Sequence, residues 1–254
     1  MDRAGGKAAG GGGERIAYVD AARGLAILCV VLGHLYPGDG IVQYISSFHV
    51  PVFFILSGLL MAARDGWKTQ RLTEFAAKKA KRLLYPYATF SALNLALIFA
   101  RRGQKAMLRQ LTATLLGEGI DALWFLSALF LALFRFNAVD LHYSLIGNPA
   151  LYYANAAAGS YALMKLCELA FAENRFLRFW GRNSTVVFAT HLNFGILEIA
   201  KAVTAAALHG RCIPAEFAIT LLIEAALVFT VNRYAKGLVD CDAARKAFRR
   251  DGQR

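Results

Sequence analysis

The residues best suited to chemistry are two ionisable side chains set eleven positions apart in one apolar run, Arg23 and His34. Eleven helical steps of ~100° make three turns plus ~20°, so both side chains share one helix face, ~16 Å apart along it. Ionisable groups within a membrane helix are costly enough to mark functional positions. A cation towards one end and an imidazole towards the other would line the same cavity. Asp20, three residues before Arg23, lies on that face and can pair with it. Imidazole suits proton transfer, because an unperturbed pKa of about 6.5 leaves it mostly neutral at pH 7 and able to accept a hydroxyl proton. It could instead carry an acyl group transiently. The same pair also fits a plainer description: a positively charged helix end and a histidine hydrogen-bonded between helices.

Further polar residues interrupt other apolar runs. His49 opens the segment FHVPVFFILSG at 48–58 and reads either as an interfacial side chain or as a site residue. The small pair Ser57-Gly58 would let another helix or a ligand approach closely. Ser57 with His191 could suggest an intramembrane serine protease, but that pattern needs Gly two positions before the serine, and Ile55 stands there. Gly181-Arg182-Asn183-Ser184 reads as a turn and helix cap leading into a span that carries His191. Lys78, Lys79, Lys81 and Arg82 place positive charge at helical spacing, either to grip phosphates of a nucleotide-like donor or simply to signal topology. Trp124, in Leu-Trp-Phe-Leu, is an aromatic membrane-interface signature.

The elements that position these residues must be membrane helices. Of 254 residues, 57% are hydrophobic and 18% charged, and the mean hydropathy is +0.42, which excludes disorder over most of the chain and disfavours a cytosolic enzyme. A net charge of +12 could point to nucleic acid, but the basic residues cluster between apolar runs without aromatic interleaving, so nucleic acid is set aside. The four cysteines, Cys29, Cys167, Cys212 and Cys241, show no metal or redox spacing, and no metal is expected. Apolar runs of spanning length fall at 20–37, 41–63, 83–100, 121–136, 185–209 and 213–232, with a weaker one at 150–172 that contains Lys165 and Glu168. The basic 64–82 loop and the basic tail are expected in the cytoplasm, with the amino terminus. Both ends inside requires an even number of crossings, whereas these runs number seven.

In order along the chain, YVDAARGLAI running to Gly33-His34, FHVPVFFILSG at 48–58, KRLLYPY at 81–87, LWFLSALFL at 123–131 and LRFWGRNSTVVFATH at 177–191 resemble acyltransferase family 3, closest to its fucose 4-O-acetylase-like branch. The resemblance covers 18–136 and about 150–232. It implies an all-α, polytopic transmembrane bundle, here of about six to eight helices, that moves acetyl groups from acetyl-CoA, as co-substrate, to a hydroxyl of a cell-surface or lipid-linked carbohydrate. Under it, His34 is the catalytic residue and Arg23 its partner. Asp20, His49, Ser57, His191 and Asn183 support them, while Lys78, Lys81, Arg82 and Trp124 serve acyl-CoA. The expected organisation is a flexible tail at 1–17, one transmembrane domain at 18–236 and a basic tail at 237–254, in the cell (inner) membrane, with a homo-oligomer as a possible assembly. Family members carry roughly three more helices where this chain has only a short connector between Phe136 and Pro149. The alternative reading is therefore a non-catalytic membrane protein, either a solute transporter or an acyltransferase decayed by internal deletion.

Overall fold

The computed structural model describes residues 16–36, 44–62, 72–116, 121–123, 125–127, 129 and 149–244. Among them every regular element is helical. In a bilayer, helices alone let a single segment satisfy its own backbone groups. The order is α1 (Ala17–Leu35), α2 (Pro51–Ala62), α3 (Leu72–Arg102), α4 (Gln104–Leu115), a short turn of helix at Asp121–Leu123, α5 (Pro149–Leu166) running into a π-helical turn (Cys167–Phe171), α6 (Arg175–Arg182), α7 (Ser184–Thr190), α8 (Ile196–Leu208) and α9 (Ile213–Tyr234). Among the described residues, four stretches are long and apolar enough to cross a membrane: Ala17–Leu35, Tyr44–Met61, Thr73–Arg102 and Ile213–Tyr234. They account for four of the expected spans.

The remaining runs differ from expectation. The 185–209 run is not one span. It breaks at 191–195, where Asn193 Nδ2 donates to the Ala189 carbonyl (3.0 Å) and Gly195, at φ 71°, takes a left-handed conformation that glycine adopts without steric cost. The 150–172 run is continuous through the π-helical turn, and Lys165 and Glu168, which weakened it as a span, pair with each other at 2.7 Å. Of 121–136 only part lies within the described residues, and the 137–148 connector lies outside them. Lys78, Lys81 and Arg82 belong to the first turns of α3 rather than to a loop. Hydropathy gave no sign of α4, whose Lys105 and Arg109 break its apolar pattern. It folds back beside α3, with the Tyr87 hydroxyl donating to the Thr114 carbonyl (2.6 Å).

Long-range contacts fix which helix ends lie together. At the basal end, Arg182 Nε donates to Asp20 near the start of α1 (2.9 Å), and Asn232 Nδ2, near the end of α9, donates to Asn183 Oδ1 (2.8 Å). The chain beyond α9 then folds onto α3. Tyr85 donates to the Gly237 carbonyl and Thr89 to the Leu238 carbonyl, each at 2.6 Å, and Lys81 meets Asp242 at 3.4 Å. At the distal end Arg211, just before α9, reaches the Leu35 carbonyl (3.5 Å). Thus α1 and α9 run antiparallel, and the beginnings of α1 and α3 share an end with the close of α9. This arrangement puts the start of α1 and the close of α9 at the same end of the bundle, and α4 is a helix that the apolar runs did not reveal.

Small residues let α1 sit at the centre of the bundle. Ala21, Ala22 and Ala26 are wholly buried, and Val19, Ile27, Val30 and Val31 pack around them. Where α1 crosses α6, a Cβ on Gly24 would overlap the Leu177 carbonyl, and one on Gly181 would overlap the Asp20 carbonyl. Backbones approach this closely only where side chains are absent. The expected close approach at Ser57-Gly58 is not found, since a Cβ on Gly58 would meet nothing within 4 Å among the described residues. Leu222 and Phe229 on α9 and Phe99 on α3 are exposed, as side chains facing lipid are.

Candidate active site

Three of the expected site histidines come together at the distal part of the bundle. His34 lies in the last turn of α1, with an exposed ring whose centroid is 5.2 Å from that of His191. His191 follows the last residue of α7 and is fully buried, with Nδ1 2.6 Å from the Val187 carbonyl and no partner for Nε2. The break in the helix after His191 places this imidazole beside α1. His49 is buried too, with Nδ1 2.9 Å from the Ile45 carbonyl, and it stands within electrostatic reach of His34. Pro51 begins α2 two residues later, where its missing N–H costs the helix nothing. An aromatic wall backs the cluster: Phe188 stacks on Phe125 at 4.6 Å, and Phe53 meets both edge-on at 5.0 and 5.6 Å.

Arg23 is half-buried on the same helix as His34, beside the α1–α6 crossing at Gly24. Asp20, expected to pair with Arg23 within α1, is held from another helix by Arg182. Asn183 sits at the α6–α7 junction as anticipated, but its side chain makes no cap bond to α7. It donates instead to the Phe179 carbonyl (2.8 Å) and accepts from Asn232. The side-chain cap lies one helix earlier, at the start of α6, where Asn174 accepts from the Leu177 amide at 3.0 Å. Ser57 is half-buried in α2. Lys78, Lys81 and Arg82 are exposed near the basal end, with Lys81 turned to Asp242. Trp124 lies outside the described residues. The expected residues therefore form two groups, imidazoles distally and charged side chains basally, joined by α1.

Two carboxylates on α9 extend the site beyond what the sequence suggested. Glu224 is 0% exposed, accepting from Thr190 Oγ1 at 2.7 Å through Oε2 and lacking a partner at Oε1. Glu216, also 0% exposed, binds Arg211 through both oxygens at 3.2 and 3.1 Å. That carboxylate raises the Arg211 pKa above its ordinary value, chiefly through the hydrogen bond, and the guanidinium also lies over Tyr36 at 5.9 Å. Glu216, Thr220 and Glu224 recur every fourth residue, so they share one face of α9, and all three are buried. Two carboxylates in an apolar span were a legible signal.

Residues 16–136 match the family model for an acyltransferase domain, that of acyltransferase family 3. This segment belongs to acyltransferase family 3. It contains α1 to α4, and with them Arg23, His34, His49, Ser57 and the basic turns of α3. No curated protein and no solved structure matches the chain. The acyltransferase domain and the four apolar helices together describe a membrane acyltransferase.

Proposed function

We propose that the chain transfers an acetyl group from acetyl-CoA to a hydroxyl of a cell-surface or lipid-linked carbohydrate, at the inner membrane, with its basal end in the cytoplasm. The observation that carries this reading is the exposed His34 on an α1 otherwise buried or half-buried, in the family-matched segment and on one helix with Arg23. In the reaction, the acceptor hydroxyl oxygen attacks the thioester carbonyl carbon while His34 takes the hydroxyl proton. The C–S bond then breaks, the proton passes to the departing sulfur, and the products are the acetyl ester and free CoA. A hydroxyl is far too weak an acid to react unaided at neutral pH, so a base in contact with it is required. Arg23 is suited to bind anionic parts of the donor, and exposed Lys78, Lys81 and Arg82 offer charge for its phosphates on the cytoplasmic face. His49 and Ser57 take supporting roles, and the Asp20–Arg182 and Asn183–Asn232 contacts fix the basal helix ends.

The test is purified protein in liposomes, supplied with radiolabelled acetyl-CoA and a panel of saccharides and lipid-linked sugars. Label should appear as an alkali-labile ester on an acceptor. Failure to label any acceptor, by protein that is folded and inserted, would favour the non-catalytic alternative.

A further inference from the structure

We infer that His191 is a positioning residue for His34: its Nε2 lone pair accepts a hydrogen bond from one N–H of the His34 ring and so fixes which nitrogen of His34 faces the substrate hydroxyl. The inference rests on the acyltransferase reading above and adds a named role to a residue outside the family-matched segment.

The argument starts from what a carbonyl can do. His191 Nδ1 is 2.6 Å from the Val187 carbonyl oxygen, and a carbonyl only accepts, so Nδ1 carries the hydrogen. In the neutral ring the other nitrogen is then a bare lone pair. That nitrogen, Nε2, is enclosed and has no hydrogen-bond partner. A buried unpaired acceptor costs free energy unless some donor reaches it. His34 supplies the ring in contact: its centroid is 5.2 Å away, about the separation of two imidazoles joined by one N–H···N bond of roughly 2.9 Å once both ring radii are added. The rings are tilted by 44° and Nε2 is unpaired as they stand, so the inferred bond requires a turn of the exposed His34 side chain at the end of α1.

The consequence for catalysis is specific. A neutral imidazole has one N–H and one lone pair, and only the lone pair can take the hydroxyl proton. With its N–H directed to His191, His34 presents the lone pair to the open side. When the proton arrives, the positive charge is shared with an acceptor already in place, which is the orienting role a third group plays for a base. His191, enclosed behind the ring, touches neither substrate nor donor in this scheme. His49 is similarly locked through Ile45, but it is His191 whose ring lies against His34.

Two measurements on the full chain in lipid test the idea. In His191→Leu the acceptor is lost. In His191→Gln a side-chain oxygen replaces it. The expected result is a fall in kcat of about ten- to hundredfold for His191→Leu, part of the 10²–10⁴ that a general base contributes, with KM for both substrates nearly unchanged. His191→Gln should recover much of that loss. Independently of activity, ¹⁵N-histidine labelling with magic-angle-spinning NMR should show coupling across an N–H···N bond between two imidazoles. The chain has five histidines, so single substitutions assign it. The coupling should vanish in His191→Leu and in His34→Ala. Wild-type kcat in His191→Leu, equal impairment in the Leu and Gln variants, or no inter-imidazole coupling in the wild-type protein would each overturn the assignment. Should the wild-type protein transfer no acetyl group, the functional reading fails, and the coupling still decides whether His191 orients His34.

Discussion

His49, Thr190 and His191 in the distal cluster each lie within hydrogen-bond distance of a carbonyl of their own segment, while His191 Nε2 and Glu224 Oε1 are left without a partner. The Thr190 hydroxyl lies 2.9 Å from the Val186 carbonyl within α7 and 2.7 Å from Glu224 Oε2, so it ties the broken α7–α8 run to α9. Hydrogen bonds between membrane helices are each worth about 0.6 to 2 kcal/mol. Thr190→Val should lower the thermal midpoint in detergent by a few degrees, and Thr190→Ser should restore it; a Ser variant as unstable as Val would show that methyl packing matters instead. The cost argument that singles out His34 in α1 applies equally to Glu216 and Glu224, which stand eight residues apart in an apolar run. They were legible in the sequence by that same argument. The Arg182 partner of Asp20 was not legible, because which distant helix supplies a cation depends on how the helices pack.

Among the elements, the α1–α6 crossing sets the geometry on which Arg23 and Asp20 depend. Gly24 and Gly181 each face a backbone carbonyl of the other helix, so a larger residue has no side chain to push aside. Gly24→Leu or Gly181→Leu should therefore separate the helices and abolish the monodisperse folded peak in size-exclusion chromatography. Gly58→Leu, at a position with no neighbour within 4 Å among the described residues, should leave that peak intact. Equal damage at all three positions would show that these glycines are not distinguished by packing. The existence of helices at α1, α2, α3 and α9 follows from run length and hydropathy. Their pairing does not, because hydropathy is blind to partners. The break at 191–195 had a signal in His191, Asn193 and Gly195, yet an apolar average over the run conceals three such residues. The helix α4 was hidden for the opposite reason, since its basic residues lower its hydropathy below that of a span.

At the level of the whole molecule, the contacts of residues 236–244 with α3 determine the topology. Lys81 and Asp242 meet at the basal end, whereas His209 lies distally, beside the Arg211 that reaches Leu35. With the four native cysteines replaced, thiols introduced at Lys78 and Asp242 should behave alike towards an impermeant maleimide, and oppositely to one at His209. The proposed orientation has only position 209 labelled from outside whole cells. Labelling of 78 and 242 but not 209 would invert it, and different behaviour of 78 and 242 would contradict the fold. The charge excess of the basic turns anticipated the shared side of α3 and the tail. That the start of α1 lies with the close of α9 emerged only from the contacts. The central claim is that His34 carries out proton transfer on an acceptor hydroxyl, and comparing acetyl transfer by wild-type and His34→Ala protein in the same liposomes tests it most directly. His34→Ala should insert and fold as the wild type does and lose about 10²–10⁴ of the rate; transfer at the wild-type rate by the alanine variant would contradict the account.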